Sequence, residues 1–119
     1  GILFSFDENG VGNWDIQHYA PSDFIMTIYG YADEPRILIN GHEYVVYTTL
    51  DNNDYLQINT RNKTVIKYLA SGDAINIFDL RGKQSDIFRR IDAGQNIITW
   101  NGTFGFDITA LVERSEPRW

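Results

Sequence analysis

Cysteine is absent from all 119 residues. That excludes disulfides, zinc–thiolate sites and cysteine nucleophiles, while leaving the compartment open. Histidine is nearly absent: His18 and His42 stand far apart, with neither H-x-H nor H-E-x-x-H spacing, so no metal-ligating pattern is present. Basic residues are few. Ten Lys plus Arg against sixteen Asp plus Glu leave a formal charge of -6, a sign that repels a phosphate backbone. The one adjacent basic pair, Arg89-Arg90, is flanked by Asp86 and Asp92, so nucleic-acid binding is disfavoured. No apolar run approaches the ~20 residues of a membrane span. The opening Gly1-Ile2-Leu3-Phe4 has no basic n-region and therefore no signal-peptide character. Without an initiator Met it reads as cut from something longer, or cleaved from a tag.

The helical period is also missing. Apolar positions at i, i+3, i+4 and i+7 recur in no long window free of Gly, Pro or Asn/Asp clusters. What recurs instead is a short alternating or β-branched run ending in a turn signal. That spacing predicts one antiparallel two-sheet β-sandwich over residues 1–119. The predicted strands are Ile2 to Phe6, Asn13 to Gln17, Asp23 to Tyr31, Arg36 to Asn40, His42 to Thr49, Tyr55 to Thr60, Lys63 to Leu69, Ala74 to Phe78, Asn96 to Trp100 and Phe104 to Glu113. Asn40-Gly41 marks a type I′ hairpin, because both central residues need positive φ. Arg61-Asn62 marks a second hairpin, and Asn101-Gly102 links the last two strands. Alternation sends Phe106, Ile108, Ala110 and Val112 to one face and Asp107, Thr109 and Glu113 to the other. Leu56 and Ile58 oppose Tyr55, Gln57 and Asn59 in the same way. Between Arg81 and Asp92 the pattern changes: Ile87, Phe88 and Ile91 fit either a helical turn capped by Ser85 or a short strand.

Candidate chemistry is sparse. Asp7-Glu8-Asn9 and Asp51-Asn52-Asn53-Asp54 supply clustered oxygens of the kind calcium takes. Neither matches an EF-hand loop, and Asx turns account for such clusters without an ion. No Walker A, G-x-G-x-x-G or G-x-S-x-G element occurs. The sequence therefore points to no catalytic residues, no metal and no cofactor. The sequons at Asn62 and Asn101 sit at predicted turns. Aromatic residues are abundant, with three Trp, seven Tyr and seven Phe. Most suit strands and a sandwich core. Some suit a contact surface: Tyr55, Gln57, Asn59 and Arg61 on the wet face, or Trp14, His18 and Tyr19 in the early loop region. The simpler reading of Tyr55 is a cross-strand partner, and Trp100 and Trp119 read as rim or core packing.

Four segments carry a family resemblance. Pro35-Arg36-Ile37-Leu38-Ile39-Asn40-Gly41-His42 and the hairpin from Tyr55-Leu56-Gln57-Ile58-Asn59-Thr60 to Thr64-Val65 are two of them. Ile87-Phe88-Arg89-Arg90-Ile91-Asp92-Ala93-Gly94-Gln95-Asn96-Ile97-Ile98 is the third. Phe106-Asp107-Ile108-Thr109-Ala110-Leu111-Val112-Glu113-Arg114 with closing Trp119 is the fourth. In this order they resemble the C-terminal domain of siphophage distal tail proteins, over about residues 23–119; residues 1–22 match less well. The resemblance implies a galectin-like jelly roll, akin to carbohydrate-binding modules. It implies attachment to a ring-forming belt domain at the tail tip of a virion, with the full-length protein hexameric and this fragment monomeric. Partners would be the receptor-binding protein and tail tube, and no catalytic residues carry over. The expected function is docking and host attachment, the alternative being a module that binds host-surface glycan.

Overall fold

The computed structural model describes residues 2–6 and 11–16 as backbone strands, and residues 21–100 and 104–111 in full. The chain is all-β and antiparallel. Among the described residues twelve strands run in order: β1 (Ile2–Phe6), β2 (Val11–Ile16), β3 (Asp23–Tyr29), β4 (Ala32–Asp33), β5 (Arg36–Ile39), β6 (His42–Val45), β7 (Thr49–Leu50), β8 (Tyr55–Asn59), β9 (Thr64–Tyr68), β10 (Ala74–Asn76), β11 (Gly94–Trp100) and β12 (Gly105–Leu111). One sheet has the order β1-β12-β3-β8-β9-β10 and the other β2-β11-β5-β6, with β4 and β7 as a separate ribbon.

Two-residue periodicity sorts the side chains. In β3, Phe24, Met26 and Ile28 are buried while the residues between them are not, and β12 and β8 repeat the pattern. These inward residues meet Ile37, Ile39, Tyr44, Ile98 and Trp100 of the opposite sheet in one core. Two ring contacts join the layers: Phe24 on Tyr44 (centroids 5.4 Å, T-shaped) and Trp100 on Phe106 (4.9 Å, T-shaped). Facing sheets with interdigitated inner faces make a β-sandwich.

The expected strands recur with shifts that have local causes. Asn40 and Gly41 take φ 53° and 82°, as a type I′ hairpin demands. The second hairpin is wider than Arg61-Asn62. Asn59 pairs with Thr64 across the four residues 60–63, and Lys63 takes φ 56°. The strand expected from Asp23 to Tyr31 stops at Tyr29: the Gly30 amide makes one more in-register bond, to the Asp54 carbonyl (2.9 Å), and there the partner strand gives way to the 51–54 turn. The run from His42 to Thr49 breaks at Val46, which bridges to Arg81, and Thr48 then donates back to the Val46 carbonyl (3.0 Å). Thr49 and Leu50 pair with Asp33 and Ala32 instead. Ala74 to Phe78 shortens to β10, and Phe78–Leu80 forms a 3₁₀ turn. The last two strands do not pair with each other: β11 lies between β2 and β5, and β12 between β1 and β3.

The undecided stretch before Asp92 is neither helix nor strand. Asp86, not Ser85, provides the side-chain acceptor, taking the Phe88 amide (2.9 Å) in an Asx turn. The segment runs beside β6 and covers that sheet edge. Gly82 donates to the Val45 carbonyl (2.8 Å), His42 Nε2 to the Asp86 carbonyl (2.6 Å) and Tyr44 Oη to the Arg89 carbonyl (2.8 Å). Ile87, Phe88 and Ile91 are buried here, as their apolar character requires.

Candidate functional site

Gly94 opens β11 with φ 81°, and the strand that follows buries Asn96 completely. A buried amide needs partners. Asn96 accepts from Asn40 Nδ2 (2.8 Å) and donates to the carbonyls of Asp92 (2.9 Å) and Gly94 (3.1 Å). Two of the segments singled out in the sequence thus meet side chain to side chain. This site is architectural, and the accessible chemistry lies elsewhere.

The outer face of the six-stranded sheet carries it. Register aligns Gly105, Tyr29, Tyr55, Tyr68 and Ala74 in one line across β12, β3, β8, β9 and β10. The next line is Asp107, Thr27, Gln57, Ile66 and Asn76. Tyr55 stacks on Tyr68 (centroids 4.7 Å, 16° between planes) and lies 6.4 Å from Tyr29, tilted. Tyr29, 41% exposed, donates its hydroxyl to Asp107 Oδ2 (2.6 Å). That bond to a carboxylate, then burial and the carboxylate's charge, push the Tyr29 hydroxyl up to about 12. Gln57 Nε2 donates to Thr27 Oγ1 (3.4 Å). Small residues flank the row at both ends, Gly105 beyond Tyr29 and Ala74 beyond Tyr68.

Of the residues expected on this surface, Tyr55, Gln57 and Asn59 do share one face. Asn59 is engaged by its own turn, accepting the Asn62 amide (3.0 Å). Arg61 lies past the far end of the strand and donates to the Leu111 carbonyl (3.3 Å). It is therefore not beside Tyr55, since four strand residues span about 13 Å. Trp14 belongs to the other sheet, its backbone opposite Asn96, and His18 and Tyr19 lie outside the described residues. So do Asp7-Glu8-Asn9, Asn101, Val112, Glu113 and Trp119. Trp100 is buried at 7% exposure against Phe106, as packing.

Tyr29, Tyr68 and Asp107 were not singled out from sequence. Each was readable as outward-facing by alternation, but their convergence depends on which strands pair. Asp54, from the acidic turn, is buried and structural. Its two carboxylate oxygens accept the amides of Asp51 and Ala70 (both 3.0 Å). Among the described residues no group of three or more His, Asp or Glu is placed to hold a metal, and no helix is long and apolar enough to cross a membrane.

A recess of about 310 Å³ lies at the same end of the sandwich on the other sheet, lined by Asp33, Glu34, Arg36, Leu38, Thr99 and Trp100. Its one cation is engaged: Arg36 Nε sits 2.8 Å from Glu43 Oε2. No protein-family model matches the chain, and no curated protein or solved structure matches it either.

Proposed function

We propose that the chain is a non-catalytic docking domain of a phage tail-tip protein, a galectin-like jelly roll of the kind found at the C-terminus of siphophage distal tail proteins. The observation that carries docking is the line Tyr29–Tyr55–Tyr68 on the outer sheet face, with Tyr29 exposed and Tyr55 and Tyr68 half-buried. Tyrosines contribute large, rigid, amphipathic contact area at little entropic cost, and they concentrate where proteins meet. The tail assignment rests on the four ordered segments. Two of those segments, Pro35–His42 and Gly94–Ile98, form adjoining strands joined through Asn40 and Asn96. In that setting the partners are the receptor-binding protein and the tail tube, the full-length protein is a hexameric ring, and the place is the virion.

The test is capture of purified tail proteins by the immobilised domain, comparing wild type with a Tyr55→Ala/Tyr68→Ala double variant. Capture that the double variant loses is the expected result. If wild type retains none of the tail proteins, the docking reading fails.

Glycan binding is the second reading, favoured by Gln57 lying one residue line from Tyr55. Planar amides pair with sugar hydroxyls beside an aromatic platform. The stacking of Tyr55 on Tyr68 counts against it, because the ring plane a sugar would cover already faces a neighbour. A glycan array with host cell-wall polysaccharide distinguishes the two.

A further inference from the structure

We propose that the tyrosine end of the six-stranded sheet docks a basic polypeptide segment, one bearing arginine or lysine, of a partner protein. The inference rests on the docking reading and names the chemistry of the occupant. Two loops border the tyrosine row, residues 51–54 and 69–73, and hold Asp51, Asp54 and Asp73 but no Lys or Arg. Asp33 and Glu34 stand at the same end of the sandwich, toward the recess, and Lys67 reaches that end with its Nζ 2.6 Å from the Thr49 carbonyl. All of these acidic residues but Asp54 are exposed. Asp107 adds a carboxylate within the face itself, at the Tyr29 hydroxyl. The opposite end of the same sheet is mixed in sign: Arg61 and Lys63 sit in the β8–β9 loop, and Arg90 lies 3.5 Å from Asp23. The acidity is therefore local, and not a uniform expression of the net charge.

Rings beside carboxylates match a guanidinium or ammonium. The cation lies against the ring while its N–H groups reach an oxygen. A neutral sugar gains nothing from the carboxylates, and a polyanion is repelled by them. Gly105 and Ala74, beside Tyr29 and Tyr68 in the register, carry little or no side chain to crowd the rings.

The experiment is a heteronuclear NMR titration of the ¹⁵N-labelled domain with a short Arg/Ser peptide. A Glu/Ser peptide of equal length and a neutral oligosaccharide are run in parallel. The Arg/Ser peptide should shift, saturably, the amides of residues 29–34, 51–55, 68–74 and 105–107. Its affinity should fall several-fold between low and physiological salt. The triple variant Asp33→Asn/Asp51→Asn/Asp73→Asn should bind at least ten-fold more weakly, whereas Asp92→Asn, at the opposite end, should change affinity less than two-fold. Those near-isosteric changes keep the test independent of any folding defect in a Tyr55→Ala variant. Shifts spread over the whole chain, or equal binding of the Glu/Ser peptide, overturn the proposal. So do shifts of the same amides by the oligosaccharide alone, or by raising protein concentration alone. In those last two cases capture of tail proteins still decides the docking reading on its own.

Discussion

Asn96 is a polar side chain with no solvent exposure and three hydrogen bonds to protein groups. Removing it orphans Asn40 Nδ2 and two carbonyls, so Asn96→Ala should cost about 3 kcal/mol of stability in urea unfolding. Tyr44 makes a different point. Burial pushes its hydroxyl well above the ordinary tyrosine range, and that hydroxyl donates to the Arg89 carbonyl (2.8 Å). A raised folded pKa gives stability that is complete below the unfolded value, near 10. That stability is lost as pH climbs through the folded one. Tyr44→Phe should therefore be about 1 kcal/mol less stable at pH 7, a deficit that shrinks at pH 11. Tyr29→Phe should remove a phenolate transition near pH 12 from the ultraviolet titration, since the hydrogen bond to the Asp107 carboxylate keeps the proton on the Tyr29 oxygen. Asn96 and Gly94 lie in one of the four segments singled out in the sequence. The roles of Asp54 and Tyr44 were not legible there, because nothing local announces a carbonyl or amide brought from another strand.

Elements were legible where a local rule dictates them. Alternation assigned the inner faces of β8 and β12, and Asn40-Gly41 assigned its hairpin. Strand ends were less legible, since partners set them. Gly30 ends β3 pressed against the Asp51 loop, and a Cβ added there would lie 2.0 Å from the Asp51 carbonyl oxygen. Backbone cannot yield as a side-chain tip does, so Gly30→Ala should destabilise by about 3 kcal/mol, visible as a lower urea midpoint. The change would also tilt the Tyr29 end of the candidate face. β10 presents the opposite case. Its three residues are all exposed and it pairs only with β9. In hydrogen exchange β10 should lose protection first, and β3 and β8, inside the sheet, last.

The whole molecule was the least legible scale. Period two sorts residues onto faces but does not say which sheet a strand joins. Hence the parting of β11 and β12 into different layers, and the gathering of Tyr29, Tyr55 and Tyr68, needed the fold. The strand order also fixes how the sheet answers to load. Ile2 stands opposite Ala110, and Phe6 opposite Phe106, so the chain at residues 2 and 111 reaches the same end of the sandwich, away from Gly105 and the tyrosines. Tension applied between those two residues therefore loads the rungs joining β1 to β12 one after another, as in opening a zip, instead of all together in shear. In an optical trap, tethers at these residues should peel β1 away at low force, before the rest of the sheet gives. Loaded there, the domain would yield first at β1, with the tyrosine end still folded.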